Sequence, residues 1–232
     1  MEEKSVQAEV ASYTGRLFRD NFGKGPSSVY VSIKHPFITI YLSEFLAPME
    51  KVLIGQRNFM KIEENRDLLM KELLPEIKAT LRVTADIHVE NIYYDWSLSN
   101  RTGILVGVMK EDQEVKEHSE FPDYPHKLEI QDEIIKVSEQ AEKVPELVDS
   151  LYLNSRTLII ERMGILVEIE KELIRSGFRE SLRLSKRRLE KRMLDAKVIE
   201  TILGTPVIDT FVDWDFDLDK SHIIIILKPK KS

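Results

Sequence analysis

Tyr93-Tyr94-Asp95-Trp96 and Phe211-Val212-Asp213-Trp214 are the two stretches whose reading decides the fold, and they contain the chain's only two tryptophans. They lie 118 residues apart (213 − 95), and the same offset carries Leu98 onto Phe216, Leu105-Val106 onto Ile223-Ile224, Met109 onto Leu227 and Lys110 onto Lys228. An ungapped match at one fixed offset, spanning a whole hairpin pattern, is the signature of internal duplication.

Working outward, the same order of elements precedes each hairpin. In the first half Val6, Val10, Tyr13, Leu17 and Phe22 recur at helical spacing up to Gly23-Lys24-Gly25-Pro26, where glycine and proline stop a helix. Alternation then takes over, with Val29, Val31 and Ile33, then Phe37 to Leu42, as two strands around Lys34-His35-Pro36. Pro48 suits a first helical turn, and Met49, Val52, Leu53, Phe59, Ile62, Leu69, Leu73, Ile77 and Leu81 predict one long, imperfect helix. Gly55 marks a break or kink in it, and Pro75 predicts a bend or division. Ile87 to Tyr94 and Ile104 to Met109 form the second hairpin.

In the second half Ile130, Ile134, Val137 and Ala141 begin a helix that Pro145 interrupts and Leu147, Val148 and Leu151 resume. Thr157 to Ile160 and Ile165 to Ile169 predict a hairpin flanking Glu161-Arg162-Met163-Gly164, and Leu173, Phe178, Leu182, Leu189, Met193 and Ile199 predict the long helix. The expected fold class is therefore α+β: two tandem α-β-β-α-β-β repeats, each an antiparallel four-stranded sheet with helices on one face. Residues 1–112 form the first repeat, 113–126 a charged linker, and 127–232 a second, divergent repeat. Exposed strand edges of two similar units invite pairing, as a pseudo-dimer within the chain or as a homodimer.

Composition excludes more than it assigns. With 34 Lys+Arg against 40 Asp+Glu the net charge is −6, so no global positive field gathers nucleic acid. The absence of cysteine removes disulfides, thiolate metal sites and a cysteine nucleophile. The acidic start Met1-Glu2-Glu3-Lys4 does not read as a signal peptide, and Ile223-Ile224-Ile225-Ile226-Leu227 is far too short to span a membrane and reads as a buried strand. No membrane insertion and a cytoplasmic location are expected.

Two places attract attention as binding sites. In Gly23-Lys24-Gly25-Pro26 the glycines let backbone amides face an anion that Lys24 could pair with, although a plain helix stop explains the same residues and the P-loop spacing is absent. Arg175, Arg179, Arg183, Lys186, Arg187, Arg188, Lys191 and Arg192 are the largest basic concentration, open to partner, lipid or RNA contact. Interspersed Glu180, Glu190 and Asp195 favour a solvated helix face instead. The Asp-Trp pairs read as architecture, with alternation placing Asp and Trp on opposite strand faces. The acidic row Asp213, Asp215, Asp217 and Asp219 lacks an EF-hand's glycine and closing glutamate and reads as a solvated strand face. His35, His88, His118, His126 and His222 show no zinc or catalytic spacing, and no nucleophile elbow or dinucleotide turn is present. No catalytic residue, metal or cofactor is assigned.

Phe18, Gly23-Lys24-Gly25-Pro26-Ser27-Ser28-Val29, the following hairpin and Leu46-Ala47-Pro48-Met49-Glu50-Lys51 at the start of a long helix resemble the bacterial MpsC-like family. The resemblance covers roughly residues 15 to 110, and the chain resembles a double-length member. The second half departs from the pattern: Leu151-Tyr152-Leu153-Asn154 stands for the glycine loop, and Glu172-Leu173-Ile174-Arg175 for the proline-containing helix start. The resemblance implies a soluble, non-enzymatic accessory or regulatory protein of a membrane ion or inorganic-carbon transport system. It would act through contact with membrane transporter subunits, at the inner face of the membrane. The alternative is a small-ligand, nucleotide or anion sensor using the Gly23 to Pro26 loop.

Overall fold

The computed structural model describes residues 3–110 and 121–229. The chain divides into two compact units, Met1–Val115 and Lys116–Ser232. In the first unit α1 (Glu3–Phe22) leads into β1 (Ser28–Lys34) and β2 (Phe37–Ser43). Helices α2 (Pro48–Gly55) and α3 (Phe59–Ala85) follow, then β3 (Val89–Ser97) and β4 (Thr102–Met109). The sheet order is β1-β2-β4-β3, every neighbouring pair antiparallel. The second unit repeats the plan with α4 (Lys127–Ala141), β5 (Leu147–Asn154), β6 (Thr157–Met163), α5 (Glu168–Arg175), α6 (Arg179–Met193), α7 (Ala196–Leu203), β7 (Val207–Asp215) and β8 (Lys220–Leu227). Its sheet order is β5-β6-β8-β7. The expected class holds: α+β, two four-stranded antiparallel sheets in two similar halves.

Each core lies between the helices and one sheet face. Val10, Leu17 and Phe18 of α1 and Met70, Leu73, Ile77 and Leu81 of α3 meet Ile38, Ile40, Leu42, Tyr94, Trp96 and Leu105. In the second unit Ile130, Ile134 and Val137 of α4 meet Leu158, Ile160, Val212, Trp214, Ile223 and Ile225. The middle strands are apolar on both faces: Ile104, Leu105 and Val106 of β4, and Ile223 to Leu227 of β8, are buried in succession.

Three expectations are corrected. The first long helix is two helices: α2 ends at Gly55, where a break was expected, and Gln56-Arg57-Asn58, with Arg57 at a left-handed φ of 57°, separates it from α3. Pro75 does not divide α3; it is exposed, so the carbonyl it leaves without a donor faces outward. In the second unit Leu147 to Leu151 belongs to strand β5, and the hairpin is β5 with β6, turning near Ser155-Arg156. Glu161-Arg162 lies inside β6, while Ile165 to Val167 leads into α5.

The remaining difference is a length change. The helix starts are offset by 120 (179 − 59) and the following strands by 118 (207 − 89), so the second unit has lost two residues between them. There its long helix breaks into α6 and α7, and Asp195 caps α7 by accepting the Lys197 N–H at 2.8 Å. The expected linker, 113–126, lies outside the described residues up to residue 120. From Phe121 the chain is held to β5: the Phe121 N–H donates to Asp149 at 2.8 Å, and the Tyr124 hydroxyl lies 2.8 Å from that of Ser150.

Candidate functional site

The Gly23 to Pro26 loop forms the corner between α1 and β1. Gly23 sits at φ +72°, the left-handed conformation that ends helices, and a Cβ at Gly25 would come within 2.8 Å of the Gly15 carbonyl oxygen. The glycines therefore stop α1 and let the chain turn back close against it. The turn borders an open groove of about 390 Å³, lined among others by Ser12, Arg16, Arg19, Pro26, Ser27 and Ser28. Arg16 Nη1 donates to Ser12 Oγ at 2.7 Å. Arg19 and Lys24 have no hydrogen-bond or ion-pair partner among the described residues.

The basic residues of the second unit do not share one surface. Arg175 is exposed and pairs with Glu172 at 3.3 Å. Arg179 pairs with Asp217. Arg183 reaches Asp213 at 3.2 Å and donates to the Trp214 carbonyl at 3.2 Å. Lys186 and Arg187 are buried, at 2% and 1% exposure, with Arg187 Nη2 4.0 Å from Asp213.

Lys186 belongs to an enclosed ionic network that the sequence pattern left unseen. Its ammonium contacts Glu142 at the end of α4, Glu170 of α5 at 2.9 Å and Glu190 of α6 at 3.9 Å. Arg162 of β6 pairs with Glu190 and donates to Ser138 and Ser221, both at 2.9 Å, while Trp214 Nε1 donates to Glu190 at 3.1 Å. Burial and the neighbouring Glu190 push the Glu142 carboxyl up to about 9, against the pull of Lys186. Burial also opposes ionisation of Glu190, but Arg162, the Glu142 carboxyl and Lys186 outweigh it and hold Glu190 below the usual carboxylate range. With Glu142 protonated, two carboxylates face two cations.

The first unit fills the same space with rings and aliphatic chains. At the 120-residue offset Glu142, Arg162 and Glu190 correspond to Phe22, Leu42 and Met70. Phe18, Phe22 and Phe45 pack with centroids 5.1–5.3 Å apart, against Trp96. One ion pair is common to both units: Arg66 binds Glu50 through Nε at 2.6 Å and Nη2 at 2.7 Å, with its plane over Phe45 and Trp96 at 4.6 and 4.7 Å.

Both members of each Asp-Trp pair are buried, so the aspartates as well as the tryptophans face neighbouring protein groups. Each acid of the row has a partner, Asp213 in a buried place and Asp217 with its side chain still 74% exposed. Asp213 pairs with Arg183 and Asp217 with Arg179; Asp215 accepts the N–H groups of Asp217 and Leu218, and Asp219 those of Ile165 and Leu166. Among the described residues no group of three or more His, Asp or Glu is placed to hold a metal ion.

Sequence reasoning found the glycine loop but missed Arg16 and Arg19 beside it, and it missed Glu142, Arg162 and Glu190. A signal existed for the last group: Leu182, Lys186, Glu190 and Met193 repeat the core spacing of Ile62, Arg66, Met70 and Leu73, with opposite charges on adjacent turns.

Among the described residues no helix is long and apolar enough to cross a membrane. No curated protein and no solved structure matches the chain. A family model described as Na+-translocating membrane potential-generating system (MpsC) matches residues 2–111 and 127–229, so the resemblance first visible in residues 15 to 110 extends over the divergent half as well. The two matched stretches follow the two structural units, and the chain belongs to the MpsC family as a double-length, tandem member.

Proposed function

We propose that this protein is a non-enzymatic accessory or regulatory component of a Na+-translocating, membrane-potential-generating system, acting by contact with membrane-spanning subunits at the inner face of the membrane. The family match over both units carries the reading. Moving Na+ requires a path through the bilayer. None of the helices among the described residues has the length and apolarity to provide one, so the proposal assigns the path to other subunits. Exposed Met49 and Val52 of α2 and Phe59 and Met60 at the start of α3 give the first unit apolar side chains of the kind that partner contacts use. Self-association through the outer strands β1, β3, β5 and β7 is a further part of the proposal.

The test is affinity purification of the tagged full chain from native membranes, with light scattering of the purified protein. Recovery of Na+-transporting membrane subunits is the expected result. A chain that recovers no membrane subunit, and whose deletion leaves membrane potential unchanged, overturns the reading. A dimer mass supports self-association, and a monomer mass removes that part alone.

A further inference from the structure

We propose that the α1–β1 corner of the first unit is a binding site for a phosphoryl group, held by Arg16 and Arg19 with the hydroxyls of Ser12, Ser27 and Ser28. The inference does not depend on the accessory role, because it concerns a site on the isolated chain.

Charge is the first argument. In a chain of net −6, the residues lining this groove include two arginines and no acid. Most of the basic side chains along α6 are tied to carboxylates, and Arg66 and Arg162 are buried in ion pairs. At this corner Arg19 and Lys24 have no acceptor among the described residues, and Arg16 has only the Ser12 hydroxyl. Arg16 and Arg19 are three residues apart on α1, which sets them on one side of the helix. A guanidinium offers five N–H donors, so this pair brings a large unused donor capacity to one groove.

Shape is the second. Gly25 passes so close to α1 that an added Cβ would meet the Gly15 carbonyl oxygen at 2.8 Å and Arg19 Cβ at 3.3 Å. This approach brings Ser27 and Ser28, at the start of β1, to the same groove as the two arginines. A volume of about 390 Å³ holds a phosphoryl group with part of whatever bears it. The donor set also favours phosphate over carboxylate. Two guanidiniums and three hydroxyls suit three or four oxygens carrying up to two charges, whereas a carboxylate would leave donors unused. One effect opposes binding: the corner adjoins the C-terminal end of α1, where the helix dipole is negative, and Arg19 in the last turn partly offsets that field.

The duplication supplies a comparison within the molecule. On the helices the offset is 120, and Arg16 and Arg19 become Lys136 and Glu139. At the strand start it is 119, because Ser27 and Glu146 donate equivalently to the Ser43 and Met163 carbonyls, so Lys24, Pro26, Ser27 and Ser28 become Lys143, Pro145, Glu146 and Leu147. Lys136 is moreover engaged with Glu133, at 3.9 Å. The second unit therefore keeps the corner and a lysine there, but an acid replaces Arg19, Glu146 and Leu147 replace the two serines, and Lys143 is itself paired with Glu146 at 3.8 Å.

The test follows backbone amide signals of the full chain by NMR during titration with inorganic phosphate, with chloride at matched ionic strength as reference. A parallel arm measures flotation with phosphatidylcholine vesicles with and without phosphatidic acid. Saturable shifts confined to the amides from Ser12 to Ser28 with phosphate identify a soluble phosphoryl ligand. Binding only to vesicles containing phosphatidic acid identifies a lipid headgroup. Arg16→Gln with Arg19→Gln should weaken either response about tenfold or more. Lys136→Gln should leave it unchanged, and circular dichroism should show each variant folded. No response in either arm, or an undiminished response in the Arg16→Gln, Arg19→Gln protein, overturns the proposal. Both outcomes are independent of what co-purifies from membranes.

Discussion

Glu50 and Glu170 occupy equivalent places, and each carboxylate performs two tasks. It accepts the N–H of the residue before its helix, Ala47 at 2.7 Å or Val167 at 3.1 Å, and it neutralises a cation from the next helix, Arg66 or Lys186. Because the Arg66 side chain is only 1% exposed, removing it leaves a buried charge without its partner. Arg66→Ala is therefore expected to destabilise the first unit by about 3–5 kcal/mol, whereas Arg66→Met with Glu50→Gln should lose clearly less. Urea unfolding of the three proteins checks this; equal losses would show that packing, not charge, dominates. A second residue-scale prediction concerns Gly103, where an added Cβ would lie 2.4 Å from Trp96 Cε3. Gly103→Ala must push the indole off Phe18 and Phe45, at a cost of about 1–3 kcal/mol and with a shift in tryptophan emission. In the second unit the same place is Ser221, whose hydroxyl accepts from Arg162.

At the scale of elements, the sequence made the two Asp-Trp hairpins and the first-half order of elements legible, because those segments obey simple periods. It misplaced the second unit's first hairpin for an identifiable reason. Glu161-Arg162 looks like a polar turn, yet Arg162 is fully buried in β6 and Glu161 is held by His222 and Lys220 at 3.1 and 3.0 Å. Polarity alone cannot show that the acid neutralising Arg162 arrives from α6. The same holds for the binding corner, where the glycine loop is visible in the sequence but the approach of Arg16 and Arg19 to Ser27 is a property of the folded turn. The ionic network also makes a pH prediction. Glu142 faces Lys186 and Glu190 of α6, with Glu170 of α5 and Arg162 of β6 completing the network. Its carboxyl is raised to about 9 in the fold, above its unfolded value, so the native state holds a proton that the unfolded chain releases. Stability is then highest below the unfolded value and falls as pH rises between roughly 5 and 9, by up to about 1.4 kcal/mol per unit. Glu142→Gln, which stays neutral, should flatten this fall and be more stable than the parent at pH 8. Urea midpoints at pH 6, 7, 8 and 9 give the comparison, and parallel curves for the two proteins would refute it.

For the whole molecule, duplication means that one architecture is stabilised in two chemically different ways. The first unit packs Phe18, Phe22, Leu42 and Met70 near the buried Glu50–Arg66 pair, while the second puts Ser138, Glu142, Arg162 and Glu190 at the equivalent places. Apolar burial is nearly indifferent to protons, and a closed ionic network is not. The halves should therefore part company under alkali. Raising pH from 7 to 9 is expected to reduce amide protection, corrected for intrinsic exchange, along α4 and α6 by tenfold or more. Protection along α1 and α3 should change little. Tenfold corresponds to about 1.4 kcal/mol of local opening energy, less than the full titration of Glu142 supplies. Glu142→Gln should abolish the asymmetry while leaving the first unit's exchange as it was. An equal loss of protection in both units would mean that alkali acts through the net charge of the whole chain, and an unchanged asymmetry in Glu142→Gln would place the sensitive proton elsewhere in the network.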